Sequence, residues 1–293
     1  KLELNREGHI PGAAMLNIET PNRNILFSGD FDTRDSPLTK GAQPIKTDTL
    51  FLEGTYGGRA HPPLEEEELR FINHVQRVVD RGGKILIPAF ANGRTQDIVM
   101  RLHRHLPHLD VHVDGMGKKI AKMQMNHPEM IRDIHAFKEA WSWCRRVSSK
   151  SDRKKALEAD VIVSTSGMMQ GGPAIWYLNR LRHDTSNAIL FTGYQAEKTG
   201  GRKLQTEGKV NIFGNETEIP LEWKSYSFST HAGHKEIVDF AAACEAEEVI
   251  IYHTDPTNAR PPLVEALEKN GHIVHNPVNG ISEYLGDEYS RSN

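Results

Sequence analysis

Three short apolar runs in the middle of the chain limit its fold more than any other feature. Lys84-Ile-Leu-Ile-Pro-Ala-Phe90, Val161-Ile-Val163 and Ala188-Ile-Leu-Phe191 each give way to a turn of small and polar residues. Runs of this length read as buried strands, and their alternation with helical patterns specifies a parallel α/β sheet. The first run follows a helical stripe of Leu69, Ile72, Val75 and Val79, with Glu65 to Glu68 at its acidic first turn and Arg81-Gly82-Gly83 as its stop. Asn92-Gly93-Arg94 leads into a helix carrying Ile98, Val99, Leu102 and Leu106. Asp110-Val-His-Val-Asp114 then alternates like a strand, and Gly117 opens a further helix.

The two ends are patterned differently. Leu2, Leu4, Ala13, Met15, Leu16 and Ile18 alternate with polar residues, Pro21 to Asn24 is a turn, and Ile25-Leu-Phe27 and Thr49-Leu-Phe-Leu52 are short strands. A strand followed by a carboxylate and glycine occurs around Asp30 and again at Glu53-Gly54. Near the C-terminus Val249-Ile-Ile-Tyr252 runs into His253, and Tyr226 and Phe228 alternate like another strand leading to His231. Strand ends are where α/β folds carry reactive groups, because the strand fixes the backbone and the loop frees the side chain. Two such histidines need partners, and His9, Asp30 and Glu53 are the best candidates by type and position. The two ends are therefore expected to meet at a site, with the long middle held between them. His9, Asp30 and His253 suit zinc, which takes imidazole nitrogen and carboxylate oxygen, although separate residues among fifteen histidines define no motif by themselves.

At 293 residues the chain suits one large or two ordinary domains, and 38% hydrophobic and 26% charged residues are those of a soluble globular protein. A net charge of -3 excludes a global basic field for nucleic acid but leaves local basic patches. The apolar runs fall far short of a membrane span. Cys144 and Cys244 are too few for a disulfide scaffold, so a reducing interior is expected, with both as ordinary thiols. The tail from Tyr289 reads as disordered.

Gly8-His9-Ile-Pro-Gly12, Phe27-Ser-Gly-Asp-Phe31, Glu53-Gly-Thr-Tyr-Gly57 and Phe228-Ser-Thr-His231, in that order, resemble the β-CASP branch of metallo-β-lactamase-fold nucleases. That branch includes RNase J and the endonuclease subunit of the eukaryotic cleavage and polyadenylation machinery. Pro88-Ala-Phe-Ala-Asn-Gly-Arg-Thr-Gln96, Ser164-Thr-Ser-Gly-Met-Met-Gln-Gly-Gly-Pro173 and Phe191-Thr-Gly-Tyr-Gln-Ala-Glu197 resemble segments of the inserted β-CASP domain. The resemblance spans nearly the whole chain.

It implies an α/β protein: an αββα metallo-β-lactamase sandwich, N-terminally incomplete, with an inserted parallel α/β β-CASP domain. Residues 1–57 and 226–293 would form the first part and 58–225 the insert. His9, Asp30 and His253 would be metal ligands, with Asp30 bridging two Zn2+ ions and Mn2+ as the alternative metal. Glu53 would orient His231, and His231 would protonate the leaving oxygen. Ser229, Ser164, Ser166 and Gly167 would contact phosphate or RNA; a Ser-Gly loop is otherwise an ordinary turn. The implied function is metal-dependent ribonuclease action on single-stranded RNA in the cytoplasm, in RNA processing or decay. Endonuclease and 5′-to-3′ exonuclease action both stay open, as does homo-oligomerisation. The alternatives are a non-catalytic RNA-binding or scaffold subunit, and a hydrolase of small esters.

Two departures from the family carry expectations. The family's His-x-His-x-Asp-His motif should lie before His9 and does not occur here, so the chain is expected to be the C-terminal part of a longer or cleaved protein. The remaining ligands would come from upstream or from another chain. His253 is followed by Thr254-Asp255-Pro256 where relatives commonly have Gly and Glu, which bears on the loop more than on the ligand.

Other features take an ordinary reading first. His103-Arg-His-Leu-Pro-His108 sits at a helix end and reads as a solvated face; His234 reads as a non-ligand. Lys118, Lys119, Lys122, Arg145, Arg146, Arg153, Lys154 and Lys155 are basic stretches with RNA-backbone contact as the minority reading. Trp141 and Trp143 read as packing residues, with base stacking as the alternative.

Overall fold

A computed structural model describes residues 1–280; the tail expected to be disordered from Tyr289 lies outside them. The first 53 residues supply four strands, β1 (Leu2–Arg6), β2 (Ala14–Glu19), β3 (Asn24–Phe27) and β4 (Thr49–Glu53). Next come α1 (Leu64–Asp80), β5 (Ile85–Pro88), α2 (Arg94–His105), β6 (Val111–Asp114), α3 (Gly117–Met125), α4 (Ile134–Trp143), β7 (Arg145–Arg146) and α5 (Lys150–Lys155). They are followed by β8 (Val161–Ser164), α6 (Gly172–Leu181), β9 (Ala188–Phe191), α7 (Gly200–Glu207), the hairpin β10 (Lys209–Ile212) and β11 (Asn215–Glu218), and β12 (Glu222–Ser225). The chain closes with α8 (His234–Ala243), β13 (Glu248–Tyr252), α9 (Arg260–Lys269) and β14 (Ile273–His275).

Two six-stranded sheets result. One has the order β12-β9-β5-β8-β6-β7 and is parallel throughout. Its central strands are buried on both faces, as their continuous apolar sequences require. The other sheet joins both ends of the chain in the order β1-β2-β3-β4-β13-β14, antiparallel from β1 to β3 and parallel from β3 to β14. One face of that sheet packs Leu26, Leu50, Leu52, Val249 and Ile251 against Ile237 and Phe240 of α8 and Leu263 and Leu267 of α9. The opposite face carries a cross-strand row of Leu4, Leu16, Phe27, Phe51 and Ile250. Phe27 and Phe51 stack there at 4.3 Å, and the row runs out at its edge to Leu4, which is 75% exposed, beside Leu2 at 70%.

Three sequence expectations are corrected in detail. The stripe on α1 is rotated: Leu69 faces solvent, and Glu67 and Glu68 turn inward. Glu68 does so because its carboxylate meets Arg101 and His105 of α2. Tyr226 to Thr230 belongs to no sheet. Its alternation reflects burial of Tyr226 and Phe228, while the Ser227 N–H donates to Glu67 Oε1 at 2.7 Å instead of to a neighbouring strand. All four residues of β6 are buried, so the alternation of Asp110 to Asp114 marks no solvent face.

The ordinary readings fit the remaining features. Trp141 is core, the Trp143 indole donates to the Pro107 carbonyl, and Arg145 and Arg153 pair with Asp110 and Asp114. Burial pushes the Cys144 thiol up to about 12 and Cys244 to about 11, as befits inert core thiols. No helix among the described residues is long and apolar enough to cross a membrane.

Candidate active site

Parallel pairing of β3, β4 and β13 brings their C-terminal ends side by side, and each strand delivers one side chain there. Beyond β3, the Ser28 hydroxyl donates to the Gly29 carbonyl at 2.7 Å and accepts the Glu53 N–H at 3.1 Å, tying the Asp30 turn to the end of β4. The Tyr252 hydroxyl of β13 donates to the same Gly29 carbonyl at 3.1 Å. His253 follows β13 in a left-handed conformation, φ 46°, and its Nδ1 lies 2.8 Å from Asp30 Oδ1. The loop beyond is held by Asp255, whose carboxylate accepts the N–H groups of Thr257 at 3.0 Å and Asn258 at 2.6 Å.

Glu53 is fully buried. One carboxylate oxygen accepts the Thr55 N–H at 2.8 Å and the other accepts Nδ1–H of His231 at 3.0 Å. Burial favours the protonated carboxyl, but the His231 hydrogen bond and charge and the Thr55 donors outweigh it and hold Glu53 below its usual range. Burial likewise opposes charge on His231, yet the Glu53 hydrogen bond and charge overcome it, so His231 is raised. His9 is the opposite case, with burial lowering it despite the hydrogen bond its Nδ1 donates to the Thr230 carbonyl at 2.9 Å. The rings of His9 and His231 are 4.5 Å apart. Glu7, buried beside Asp30, is pushed up to about 8 by that burial first and by the Asp30 charge second.

The donor set suits a divalent metal. Donor atoms of His9, Asp30 and His231 lie within 4.8 Å of one another, as do those of Asp30, Glu53 and His253, so Asp30 belongs to both groups. The Nδ1 of His9 is engaged by a backbone carbonyl, which leaves Nε2 as its lone-pair nitrogen. Metal-binding histidines are commonly oriented in this way.

A cavity of about 670 Å³ opens on this group and is lined by His9, Tyr56, Phe90, Arg94, Ser229 and His231 among others. Ser229 faces it and accepts the His231 N–H at 3.2 Å. The other three residues expected at phosphate stand elsewhere. Ser164 is fully buried at the end of β8 with its hydroxyl on the Thr165 carbonyl, so it cannot reach a phosphate. Ser166 and Gly167 do not line the cavity; Gly167 packs under the backbone of Ala89 and Phe90.

Two positioning groups escaped the sequence. Arg34, chelated by Asp32 at 3.0 and 2.7 Å, donates to the Ser229 carbonyl at 3.0 Å. The His61 ring lies tilted against Tyr56 at 4.4 Å and donates from Nε2 to the His231 carbonyl at 2.9 Å. An acidic residue two before an arginine, just after Asp30, was the only local hint of the first. His234 is structural, accepting the Gly58 N–H at 2.9 Å.

Gly8 sits at φ 83°, and a Cβ there would lie 2.1 Å from the Asp32 carbonyl oxygen, which is itself bonded to Ala42. Gly8→Ala is expected to lower stability by about 2 kcal/mol or more, read as a drop in thermal midpoint. A midpoint like that of the parent would mean that the backbone yields easily here.

The family model described as the Beta-Casp domain matches residues 95–204. The chain is 36% identical to Probable RNase MJ4 of Methanocaldococcus jannaschii, over 88% of this chain and 62% of the relative. It is 32% identical to RNase aCSPSF2 of Saccharolobus solfataricus, over 96% and 58%, and 29% identical to Endoribonuclease ysh1 of Schizosaccharomyces pombe, over 95% and 40%. The chain spans about half the length of the curated relatives it matches. A parallel α/β unit and a second sheet with carboxylates and imidazoles at its strand ends fit the metallo-β-lactamase type of architecture. The chain belongs to the β-CASP family of metallo-β-lactamase-fold proteins.

Proposed function

We propose that this chain is the larger part of the catalytic unit of a metal-dependent ribonuclease that hydrolyses phosphodiester bonds of single-stranded RNA. The observation that carries this reading is the Glu53–His231 pair, buried at one end and facing His9, Asp30 and the cavity at the other. The relatives named RNase and endoribonuclease support it. We read residues 1–57 with 226–293 as one domain and 58–225 as the insert. The open apolar face with Leu2, Leu4, Phe27 and Phe51 supports an upstream or separate piece that covers it and completes the ligand set.

His9 through Nε2, Asp30 and His253 would hold the metal, for which two Zn2+ ions are the expected occupants. Bound there, a divalent ion supplies Lewis acidity and neutralises charge on the phosphate. The rest falls to side chains. Glu53 fixes the His231 tautomer with the proton on Nδ1, which turns Nε2 toward the cavity. In its protonated form Nε2–H of His231 gives its proton to the leaving ribose oxygen as water oxygen bonds to phosphorus, the phosphorus–oxygen bond breaks and the proton shed by the water passes to solvent. Ser229, steadied by Arg34, lies on the cavity wall beside it. A cleft lined by both sheets' loops favours a flexible single strand over a duplex.

Full-length protein should carry about two metal ions per chain by elemental analysis, and Asp30→Ala should lose most of both. Full metal content in Asp30→Ala would remove Asp30 from the metal site. Gel assays of single-stranded RNA beside a small phosphodiester test the activity itself. Tight RNA binding with no cleavage by metal-loaded protein would favour the scaffold alternative.

A further inference from the structure

Phe90 stands just past β5, in the same cavity as His9 and His231, and has no part in the chemistry derived above. It is 37% exposed, although every residue of β5 before it is buried. The ring is nevertheless firmly seated. A Cβ on Gly193 would meet its Cε2 at 2.9 Å and Cδ2 at 3.3 Å, and one on Gly167 would meet its Cδ1 at 3.1 Å. Glycines at the ends of β8 and β9 thus clear a floor on which the ring lies. The Phe90 carbonyl accepts the Thr95 hydroxyl at 2.7 Å and the Thr95 N–H at 3.1 Å, which fixes the backbone as well. Tyr194, next to Gly193, lines the same cavity and is 62% exposed. Among the described residues neither ring packs against another aromatic ring.

A second, independent feature lies across the turn. Arg94, in the first turn of α2, lines the cavity with only 9% exposure. Its Nε has no hydrogen-bond partner among the described residues. Its nearest carboxylate, Asp97 at 3.4 Å, is shared with Arg101 at 3.1 Å. Arg101 is also paired with Glu68, so the long contact to the shared Asp97 is the one ion pair of Arg94 among the described residues, and its guanidinium stands weakly paired at the cavity wall.

We propose that Phe90 and Arg94 form a nucleotide subsite of the cleft, Phe90 stacking a nucleobase and Arg94 taking a phosphate of the same strand, with Tyr194 as a second ring beside it. This rests on the ribonuclease reading and adds to it where the strand is held away from the reacting bond. Stacking on a phenyl face accepts any base, so the subsite gives grip without sequence preference. A lipid or a small ester would use the ring but would leave Arg94 without its anion.

The test is fluorescence anisotropy on the full-length protein with chelator present, using an end-labelled homouridine oligonucleotide and an abasic ribose-phosphate strand of equal length. Phe90→Ala is expected to weaken binding of the uridine strand about tenfold. Phe90→Trp should restore that binding. The abasic strand should bind Phe90→Ala as it binds wild type, because the phosphate contacts remain. Equal uridine affinity in wild type and Phe90→Ala overturns the subsite, as does an equal loss for the abasic strand. A wild type that binds no RNA here and cleaves none when metal-loaded overturns the ribonuclease reading itself, and the subsite with it.

Discussion

His231→Asn is expected to lower RNA turnover by about 10²–10⁴-fold, the range that a positioned general acid contributes, while RNA affinity stays close to wild type. Asparagine is the informative choice because its amide nitrogen can stand near the position of Nδ1 and keep a donor on Glu53. Alanine would instead leave a fully buried carboxylate without its 3.0 Å partner, mixing a folding defect into the result. What asparagine lacks is a proton-bearing group at Nε2. Glu53→Gln makes the complementary change, removing the charge that raises His231 while retaining an acceptor. Single-turnover cleavage and anisotropy, measured side by side, separate chemistry from binding. If His231→Asn turned over RNA as fast as wild type, the proton would have to come from elsewhere and His231 would be reduced to a wall residue.

The second large effect is expected in stability. Arg101→Met should cost about 3–5 kcal/mol, the usual consequence of leaving a buried charge unpaired. Arg101 is 1% exposed, bonds Asp97 through Nε at 3.1 Å, pairs with Glu68 through its terminal nitrogen, and lies with its guanidinium 4.6 Å from the Phe228 ring centre. Removing it strands two carboxylates between α1 and α2 and takes the support from under the segment that carries His231. Arg101→Lys should recover little, because one ammonium cannot serve both carboxylates and the ring in a planar fork. Urea denaturation followed by circular dichroism gives the number. A loss below about 1 kcal/mol would mean that Glu68 is satisfied by His105 at 2.8 Å and that the network tolerates a gap.

Much of this was legible in residue order, and the failures have physical causes. The apolar runs ending at Phe90, Val163 and Phe191 located β5, β8 and β9, because a strand buried on both faces leaves no polar residue to disguise it. Glu53, His231, His9, Asp30 and His253 do converge; residue type and strand-end position made them candidates, and their expected roles came from the resemblance to the β-CASP family. Arg34 and His61 were invisible because their partners lie 195 and 170 residues away and their contacts are to backbone carbonyls, which leave no trace in side-chain pattern. The Ser164-Thr-Ser-Gly167 turn misled because serine at a strand end suggests an anion contact, whereas here the glycine clears space for a ring and Ser164 closes on its own backbone. Leu69 and Glu68 exchanged their expected faces because an ion pair outweighed the apolar stripe.

The pairing of the first sheet also sets a schedule. Asp30 meets His253 across 223 residues and Glu53 meets His231 across 178, while every strand of the parallel sheet falls between residues 85 and 225. During synthesis, domains close in the order in which they emerge. The middle of this chain can finish folding while Asp30 still lacks His253 and Glu53 still lacks His231. Only after β13 has been made can the two halves of the candidate site come together. A chain cut short before residue 231 would therefore hold the parallel sheet and keep Asp30 and Glu53 without the imidazoles they pair with.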